Sequence, residues 1–458
     1  MDVLSAAGAW DDVAGAQTNL FGGVSSSSSL SETPPRGGLL GGRSSSGSVE
    51  ASTGGSDWGW VPRLSQDDWQ QALSVATSGR ESGKEEEPWA MSLTVVHSWQ
   101  SHRKTLKTAI VTEDEALMMT AGGGGSSDPA VVRCWDLANG KLVLEYTGHK
   151  EMPVKLAMLD GGHEVASLDA GGAVHVWSAN NAERLVRFTE GAVPVLMSQR
   201  DSSEEEERKN AGGFTCMALA GDGWDGHLIA GTADGQLRAL HVDSARIMAP
   251  WGVLPASATK DAEALPHITS IIVGNSSSAS GAAGARTPSR WLCVGLRSGD
   301  MSLLDGRSGA IQASWRAHDG PITCMHAVGQ WGIVTGSQDK LLSVWDIRYL
   351  RQGYQPSMGT GPLVHTFKGH KDAISALMLH DSDVLSVAGA RIGLASLQPP
   401  SPGATTSSAD NTQVKFKPMR LRNQRGNKET AAMADVGVLP HSRLFFVATE
   451  DGYVKICH

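Results

Sequence analysis

A histidine, a hydroxyl, a carboxylate and an indole follow one another along a short part of the chain, as His318, Thr335, Asp339 and Trp345. Such groups occur in hydrolases, but a nucleophile needs an exposed hydroxyl beside a base and an oxyanion hole. A buried imidazole between a carboxylate and a hydroxyl instead satisfies all three polar groups, and the hydroxyl can accept the indole N–H. We therefore interpret the four residues as a structural tetrad.

Partial copies of the tetrad favour this interpretation, because a unique active site does not recur along a chain. Two copies keep three of the four members: His149, Ser167 and Trp177, and His102, Thr120 and Trp135. In the copy that contains His149, Gly171 occupies the position expected for the acid. In the copy that contains His102, an insertion displaces the candidate acid, Asp128. His370 begins a further copy whose other members are lost.

The elements that must position these side chains are short alternating runs, each ending in a turn signal, which predict β-strands. A tight turn and an alternating run recur seven times, with the tryptophan position occupied by Trp135, Trp177, Leu240, Leu304, Trp345, Leu397 and Cys457. The base period is roughly 40 to 45 residues. Insertions at 198–213, 275–290 and 399–434 lengthen it and are predicted to be exposed loops. The predicted fold class is all-β, a seven-bladed β-propeller.

Composition divides the chain into three parts. Residues 1–56 form a Gly/Ser-rich tail, predicted to be disordered because it has too few apolar groups to offset the entropy of ordering. Residues 57–91 form a linker with a short tryptophan-containing helix that begins at a capping box. The propeller occupies 92–458. Its seventh unit lacks a fourth strand, so residues 92–99 are predicted to be the outer strand that closes the last blade.

Charge and cysteine content exclude several classes of function. A net charge of −9 over 458 residues gives no general affinity for nucleic acid. Five scattered cysteines without a C-x-x-C pair argue against a disulfide framework or a zinc site. No signal peptide and no run of about 20 apolar residues occurs, so we expect a cytoplasmic protein. We predict no catalytic residue, cofactor, metal or small-molecule substrate.

The repeat with G-H, a turn aspartate and W-D resembles the WD repeat over about residues 92 to 458. The stretches at 290–320, 385–400 and 438–456 are similar to the C-terminal propeller of BEACH-domain WD-repeat proteins, in the branch that also carries a protein-kinase-like region. This resemblance implies a non-catalytic scaffold in endosomal, vacuolar or autophagic membrane trafficking, peripheral to endosomal membranes. We read no BEACH or kinase domain in this chain.

Partners of a propeller bind to its inter-strand loops, so the rim beside the tetrads is the predicted partner-binding surface. The candidate rim residues are Arg103, Lys104, Lys150, Asp319, Lys340, Lys371 and Asp372. We expect other proteins to bind there, with the chain a monomer or a subunit of a larger complex.

Two further motifs offer alternatives. The basic stretch 415–428 suits weak contact with an anionic membrane, at about 1 kcal/mol per basic residue, although a solvated flexible insertion is the favoured interpretation. Trp345, Asp346 and Arg348 match the W-D-x-R box of propellers that serve as substrate receptors of cullin–RING ubiquitin ligases. A ligase receptor is therefore the alternative to a trafficking scaffold.

Overall fold

The computed structural model of the protein describes residues 92–123, 129–137, 140–159, 162–190, 195–196, 213–220, 228–248, 251–253, 266–275, 290–350, 362–380, 382–397, 416–423 and 425–458. The predicted tail at 1–56 and the linker helix within 57–91 lie outside these residues, as do most of the insertions at 198–213 and 275–290. The described ranges contain no helix that is long and apolar enough to cross a membrane.

The described strands form seven antiparallel sheets, which confirms the predicted seven-bladed propeller. The first blade contains β2 (Leu106–Val111), β3 (Leu117–Gly122), β4 (Val131–Asp136) and β5 (Lys141–Tyr146). The second contains β6 (Pro153–Met158), β7 (Glu164–Asp169), β8 (Ala173–Ser178), β9 (Arg184–Thr189) and the short β10 (Val195–Leu196). The third contains β11 (Phe214–Leu219), β12 (Leu228–Thr232), β13 (Gln236–His241), β14 (Arg246–Ile247) and β15 (Trp251–Gly252).

The remaining four blades follow the same order. The fourth contains β16 (Ile268–Asn275), β17 (Arg290–Leu296), β18 (Asp300–Asp305) and β19 (Ile311–Arg316). The fifth contains β20 (Ile322–Val328), β21 (Gly332–Ser337), β22 (Leu341–Asp346), a 3-10 turn over Ile347–Tyr349, and β23 (Leu363–Lys368). The sixth contains β24 (Ile374–His380), β25 (Asp383–Ala388) and β26 (Arg391–Ser396), and the seventh β27 (Met433–Leu439), β28 (Leu444–Thr449) and β29 (Tyr453–Cys457).

The outer strand of the seventh blade comes from the other end of the described chain. This strand, β1 (Val95–Gln100), pairs antiparallel with β29, from Val95 opposite Cys457 to Gln100 opposite Tyr453. The strand begins three residues later than the 92–99 expected from the sequence. Backbone hydrogen bonds from Ser92 N to His458 O and from His458 N to Thr94 O extend the junction at 2.9 and 3.0 Å. The first strands of the seventh and first blades also pack together, so the ring of blades is closed.

Apolar side chains are buried between neighbouring blades. Seven buried clusters each combine side chains from two adjacent sheets. Every residue of the second strands β12 and β21 is buried, because both faces of a propeller sheet are covered by its neighbours. Leu240, Leu304 and Cys457, which occupy the tryptophan position in the third, fourth and seventh blades, are all 0% exposed.

Hydroxyl groups link several blades around the central channel. Each blade's first strand has a register shift after its first residue, and Thr or Ser occupies the bulged position in four blades. Three of these hydroxyls donate to a carbonyl of the next blade: Thr215 to Ile268 at 2.6 Å, Thr323 to Ile374 at 2.7 Å and Ser375 to Met433 at 2.8 Å. Between the seventh and first blades, Asp435 accepts from Thr108 instead, at 2.7 Å.

The sixth blade corrects two expectations. Within the described residues its sheet has three strands. Residues 416–423, which we call the strap, run along the edge of this sheet, with two backbone hydrogen bonds of 2.8 Å between Ile392 and Met419. The interpretation of 415–428 as a solvated insertion is therefore wrong for the strap, because Leu421 is 0% exposed and joins the core between the sixth and seventh blades. The register places Ala395, not Leu397, in the tryptophan position, since Val384 pairs with Ala395.

Candidate functional site

The tetrad of the fifth blade joins two strands, the turn between them and the connection that leads into the first strand of the blade. His318 precedes β20, Thr335 lies in β21, Asp339 in the following turn and Trp345 in β22. His318 Nδ1 lies 2.9 Å from Asp339 Oδ2, and His318 Nε2 lies 2.7 Å from Thr335 Oγ1. The Trp345 indole donates to the same hydroxyl oxygen at 2.8 Å.

The protonation state of His318 allows each polar group of the tetrad to form a hydrogen bond. Burial lowers the pKa of His318, although the Asp339 carboxylate opposes this shift, so the imidazole is neutral and carries one N–H. If Nδ1–H donates to Asp339, Nε2 accepts the Thr335 hydroxyl proton, and the hydroxyl oxygen accepts the indole N–H. The hydroxyl is thus committed on both sides, and the His318 side chain is 0% exposed. A substrate has no access to this base and hydroxyl.

The second blade holds a tetrad whose acid the sequence analysis placed wrongly. Asp169 Oδ2 lies 3.1 Å from His149 Nδ1, and Ser167 Oγ lies 2.6 Å from His149 Nε2 and 3.1 Å from Trp177 Nε1. The acid is therefore Asp169, not a residue at the position of Gly171. Residues i and i+2 of a strand point to the same side, so Asp169 and Ser167 both face the imidazole.

In the first blade, an arginine lies beside the Nδ1 atom of the tetrad histidine. His102 Nε2 lies 3.1 Å from Thr120 Oγ1, which accepts from Trp135 Nε1 at 2.9 Å. Arg133 Nη1 lies 3.5 Å from His102 Nδ1 and donates to Ser101 O at 2.7 Å. Asp128, the acid considered from the sequence, lies outside the described residues.

The sixth blade has the histidine and the hydroxyl of a tetrad, and its aromatic ring comes from the strap. His370 Nε2 lies 2.8 Å from Ser386 Oγ, whereas no described group hydrogen-bonds to its buried Nδ1. Burial lowers the pKa of His370 to about 4. The Phe416 ring of the strap meets the imidazole edge-on at 5.2 Å and 69°, much as Trp345 meets His318 at 6.1 Å and 74°. A ring distant in sequence therefore covers this histidine.

The second blade contains a second buried histidine, His175, that was not predicted from the sequence. His175 stacks on His149 with ring centroids 4.1 Å apart and a 9° interplanar angle, and its Nδ1 lies 2.8 Å from Tyr146 Oη. Burial, with smaller contributions from His149 and nearby arginines, lowers the pKa of His175 to about 2. Its sequence signal is a histidine two residues before the tryptophan, on the same side of β8.

The stacked histidines and Asp169 bring three potential metal ligands within 4.8 Å of one another. Ring-nitrogen lone pairs lie in the ring planes, and the planes here are nearly parallel. The lone pairs of His149 and His175 therefore do not converge on one point, and both His149 nitrogens already have hydrogen-bond partners. This geometry favours a hydrogen-bonded core over a metal centre.

The seven candidate rim residues share one face of the propeller. In an antiparallel sheet, the connection into the first strand and the turn between the second and third strands lie at the same end. Arg103, Lys104, Lys150, Asp319, Lys340, Lys371 and Asp372 all lie in such connections, and all are exposed. We call the surface formed by these seven residues the histidine face, because the tetrad histidines stand directly beneath it.

The W-D-x-R residues lie at the opposite end of the fifth blade. Asp346 ends β22 and Arg348 lies in the following 3-10 turn. The Arg348 guanidinium donates to both oxygens of Asp346, with a shortest distance of 2.7 Å, and the side chains are 15% and 1% exposed. Arg348 therefore neutralises a buried carboxylate of its own blade.

Comparison with known proteins agrees with this geometry. The family described as "WD domain, G-beta repeat" matches residues 309–346, which contain the complete fifth-blade tetrad. The fifth blade therefore matches a single WD repeat. The β-propeller domain of Cps50 (Swd1) from Myceliophteria thermophila has the same fold, with a TM-score of 0.55 and 14% identity over 79% of this chain and 98% of that one.

Two curated proteins are similar to most of this chain, and a third is similar to about a third of it. Protein GFS12 of Arabidopsis thaliana is 27% identical over 87% of this chain, and the Dictyostelium discoideum protein named "Probable inactive serine/threonine-protein kinase lvsG" is 21% identical over 79%. WD repeat-containing protein 81 of Homo sapiens is 28% identical over 36%. These matches confirm the resemblance to BEACH-type WD-repeat propellers. The chain spans only 24%, 15% and 7% of these three relatives.

Proposed function

We propose that this propeller is a non-catalytic protein-interaction scaffold whose partners bind the histidine face. The observation that carries the proposal is the position of all seven candidate rim residues, exposed on connections at one end of the blades. Five of the seven are basic and two are acidic, so the surface offers both signs of charge to a partner.

Rigid support makes this face suited to recognition. The tetrads of the second and fifth blades lie below Lys150 and Asp319, and the Asp339 carboxylate accepts the backbone N–H of Asp319 at 3.2 Å. The same carboxylate accepts the backbone N–H of Leu341 at 2.9 Å. Loops fixed in this way lose little conformational entropy when a partner binds.

Absence of catalysis is part of the proposal. WD propellers generally bind other proteins without chemistry, and the hydroxyls of the second and fifth tetrads are engaged by both a histidine and a tryptophan. Burial raises the pKa of the Cys216 and Cys324 thiols to about 12 and about 11, which leaves them without thiolate character at neutral pH.

The cellular setting that we propose is the surface of endosomal or vacuolar membranes, in trafficking or autophagy, as the resemblance to BEACH-type WD-repeat proteins implies. The ubiquitin-ligase receptor is the competing hypothesis. It would use Arg348 on the opposite face, yet that guanidinium is occupied by Asp346. The scaffold hypothesis is therefore the better supported of the two.

Charge reversal on the two faces tests the proposal. Arg103→Glu and Lys371→Glu change exposed residues of the histidine face in two blades, and Arg307→Glu is the matched control in a connection of the opposite face. Partners captured by the full chain from membrane-containing extracts are measured by quantitative mass spectrometry. We expect a common set of proteins to be lost with the first two variants and kept with the control. Loss of the same set only with Arg307→Glu would refute the assignment.

A further inference from the structure

A basic groove lies beside the strap, where the sixth and seventh blades meet. It encloses about 650 Å³, within the roughly 300–1,000 Å³ of small-molecule sites. Its cationic lining comes from two parts of the chain: Arg391 begins β26, and Lys417, Arg420, Arg422 and Lys428 come from the strap and the residues after it. Residues 92–94, before β1, form another wall. We call this site the basic groove.

No described residue that lines the basic groove is acidic. Across the described residues, none of its five cationic side chains forms an ion pair. Glu429, next to Lys428 in sequence, is instead paired with Lys455 at 2.6 Å. Converging like charges repel one another in the absence of an anion, so a polyvalent anion in the groove relieves that repulsion.

The walls of the basic groove are fixed by the fold. Arg422 N donates to Leu93 O at 3.0 Å, and Val95 N donates to Arg422 O at 2.8 Å, which ties the strap to the seventh blade. Leu93 has a φ of 56°, a conformation that a non-glycine residue rarely adopts. Its side chain is buried in the same core cluster as Leu421. The groove is thus held on both sides and does not depend on a flexible loop.

Exposed apolar side chains occur in the basic groove and on the two strands that begin at its lining. Met419 lines the groove and is 51% exposed. Leu394 in β26, the strand that begins at Arg391, is 43% exposed, and Val96 in β1, the strand that follows residues 92–94, is 47% exposed. Cationic side chains combined with accessible apolar ones are typical of surfaces that bind anionic membranes. A soluble phosphate would use only the cations and would leave these apolar groups in water.

We infer that the basic groove binds the phosphorylated headgroup of an anionic phospholipid, with the arginines contacting the phosphate oxygens and Met419 contacting the membrane. A planar guanidinium offers paired N–H donors that match phosphate geometry. The inference goes beyond the proposed scaffold function, because the groove is on the outer edge of two blades and shares no residue with the histidine face. It also goes beyond diffuse attraction by 415–428, because Arg391 lies outside that stretch.

Three variants distinguish specific headgroup binding in the basic groove from general electrostatic attraction by the basic stretch. Arg391→Gln and Arg422→Gln each remove one charge from the basic groove. Arg425→Gln is the matched control, because Arg425 is exposed and belongs to the same basic stretch but does not line the groove. The full chain is titrated with phosphatidylcholine vesicles that contain phosphatidylinositol bisphosphate, and with vesicles brought to the same net charge by phosphatidylserine.

For a built site we expect at least about tenfold weaker binding to the phosphoinositide vesicles for both groove variants, and less than about twofold for Arg425→Gln. Diffuse attraction instead predicts about a fivefold loss for each charge removed anywhere in the stretch. Equal binding to both vesicle types, with similar losses for Arg422→Gln and Arg425→Gln, overturns the inference. Unchanged thermal unfolding of the variants shows that the propeller is intact.

A fourth variant, Met419→Ser, distinguishes a lipid from a free phosphate compound. We expect it to weaken binding to phosphoinositide vesicles and to leave binding of soluble inositol bisphosphate unchanged. If the soluble compound binds as tightly as the vesicles, and Met419→Ser affects neither, the ligand is a free phosphate compound and the membrane assignment is wrong. Binding of a phosphopeptide in place of both probes would likewise overturn it.

Discussion

Removal of one hydroxyl gives the sharpest test of the tetrad. Thr335→Val keeps the shape and β-branching of the side chain but deletes the oxygen between His318 and Trp345. Both partners are buried, with side-chain exposure of 0% for His318 and residue exposure of 3% for Trp345. The indole N–H at 2.8 Å and the imidazole Nε2 at 2.7 Å would both lose their hydrogen bond. Each unsatisfied buried group costs about 1–3 kcal/mol, so for two groups we expect a loss of about 2–6 kcal/mol.

The free energy of unfolding is measured by urea titration of the full chain with circular dichroism, so that the readout does not depend on Trp345 fluorescence. Thr366→Val is the control, because Thr366 lies in the outer strand of the same blade and its hydroxyl makes only a 3.4 Å contact with Ser343. Ser386→Ala, whose hydroxyl meets one histidine and no tryptophan, should cost less than Thr335→Val. If Thr335→Val costs no more than Thr366→Val, the tetrad does not stabilise the blade.

Three further outcomes follow from burial and pairing. Burial lowers the pKa of His175 to about 2 and that of His370 to about 4, both below the unfolded value of about 6.5. The stability of the folded state is therefore full above pH ~6.5, and it falls by roughly 2 kcal/mol per histidine between pH 7 and 5. Urea unfolding midpoints measured over this pH range test the prediction, and midpoints that do not change with pH contradict it. Deletion through residue 100 should lower the melting temperature of the whole domain, whereas deletion through residue 91 leaves β1 in place and should not. Arg348→Ala leaves the carboxylate of Asp346, which is 1% exposed, without its ion pair, so we expect unfolding to become about 3–5 kcal/mol easier. Arg348→Lys should cost less. A test of the ubiquitin-ligase hypothesis that measures binding of the ligase to Arg348 variants therefore needs Arg348→Lys as its stability control.

Regular spacing made the blade count predictable, because every sheet repeats the same alternation of buried and turn residues. The complete tetrad was also visible, since its four residue types have few other uses at that spacing. The register of the sixth blade was not visible. Its turn between the second and third strands is shorter, so counting from the turn reached Leu397, whereas hydrogen-bond pairing selects Ala395.

Two contacts to the tetrad histidines could not be predicted from the repeat for a related reason. Asp169 reaches His149 from the strand and not from the turn, because two positions two residues apart point to the same side. Phe416 reaches His370 from a segment that looks like a polar insertion. Position within a repeat predicts which residue can contact the histidine only when no other segment can occupy the same space.

Unequal blades explain why the strap is part of the fold. The second and fifth blades hold their strands with complete tetrads, and Leu240 and Leu304 fill the tryptophan position in the third and fourth by apolar packing. The sixth has only Ala395 there, and its described residues include no fourth strand. The strap supplies both an aromatic ring and backbone pairing to this blade, and it bears most of the cations of the basic groove. A ligand that binds these cations therefore binds only when the strap is docked, and by linkage it must stabilise the sixth blade.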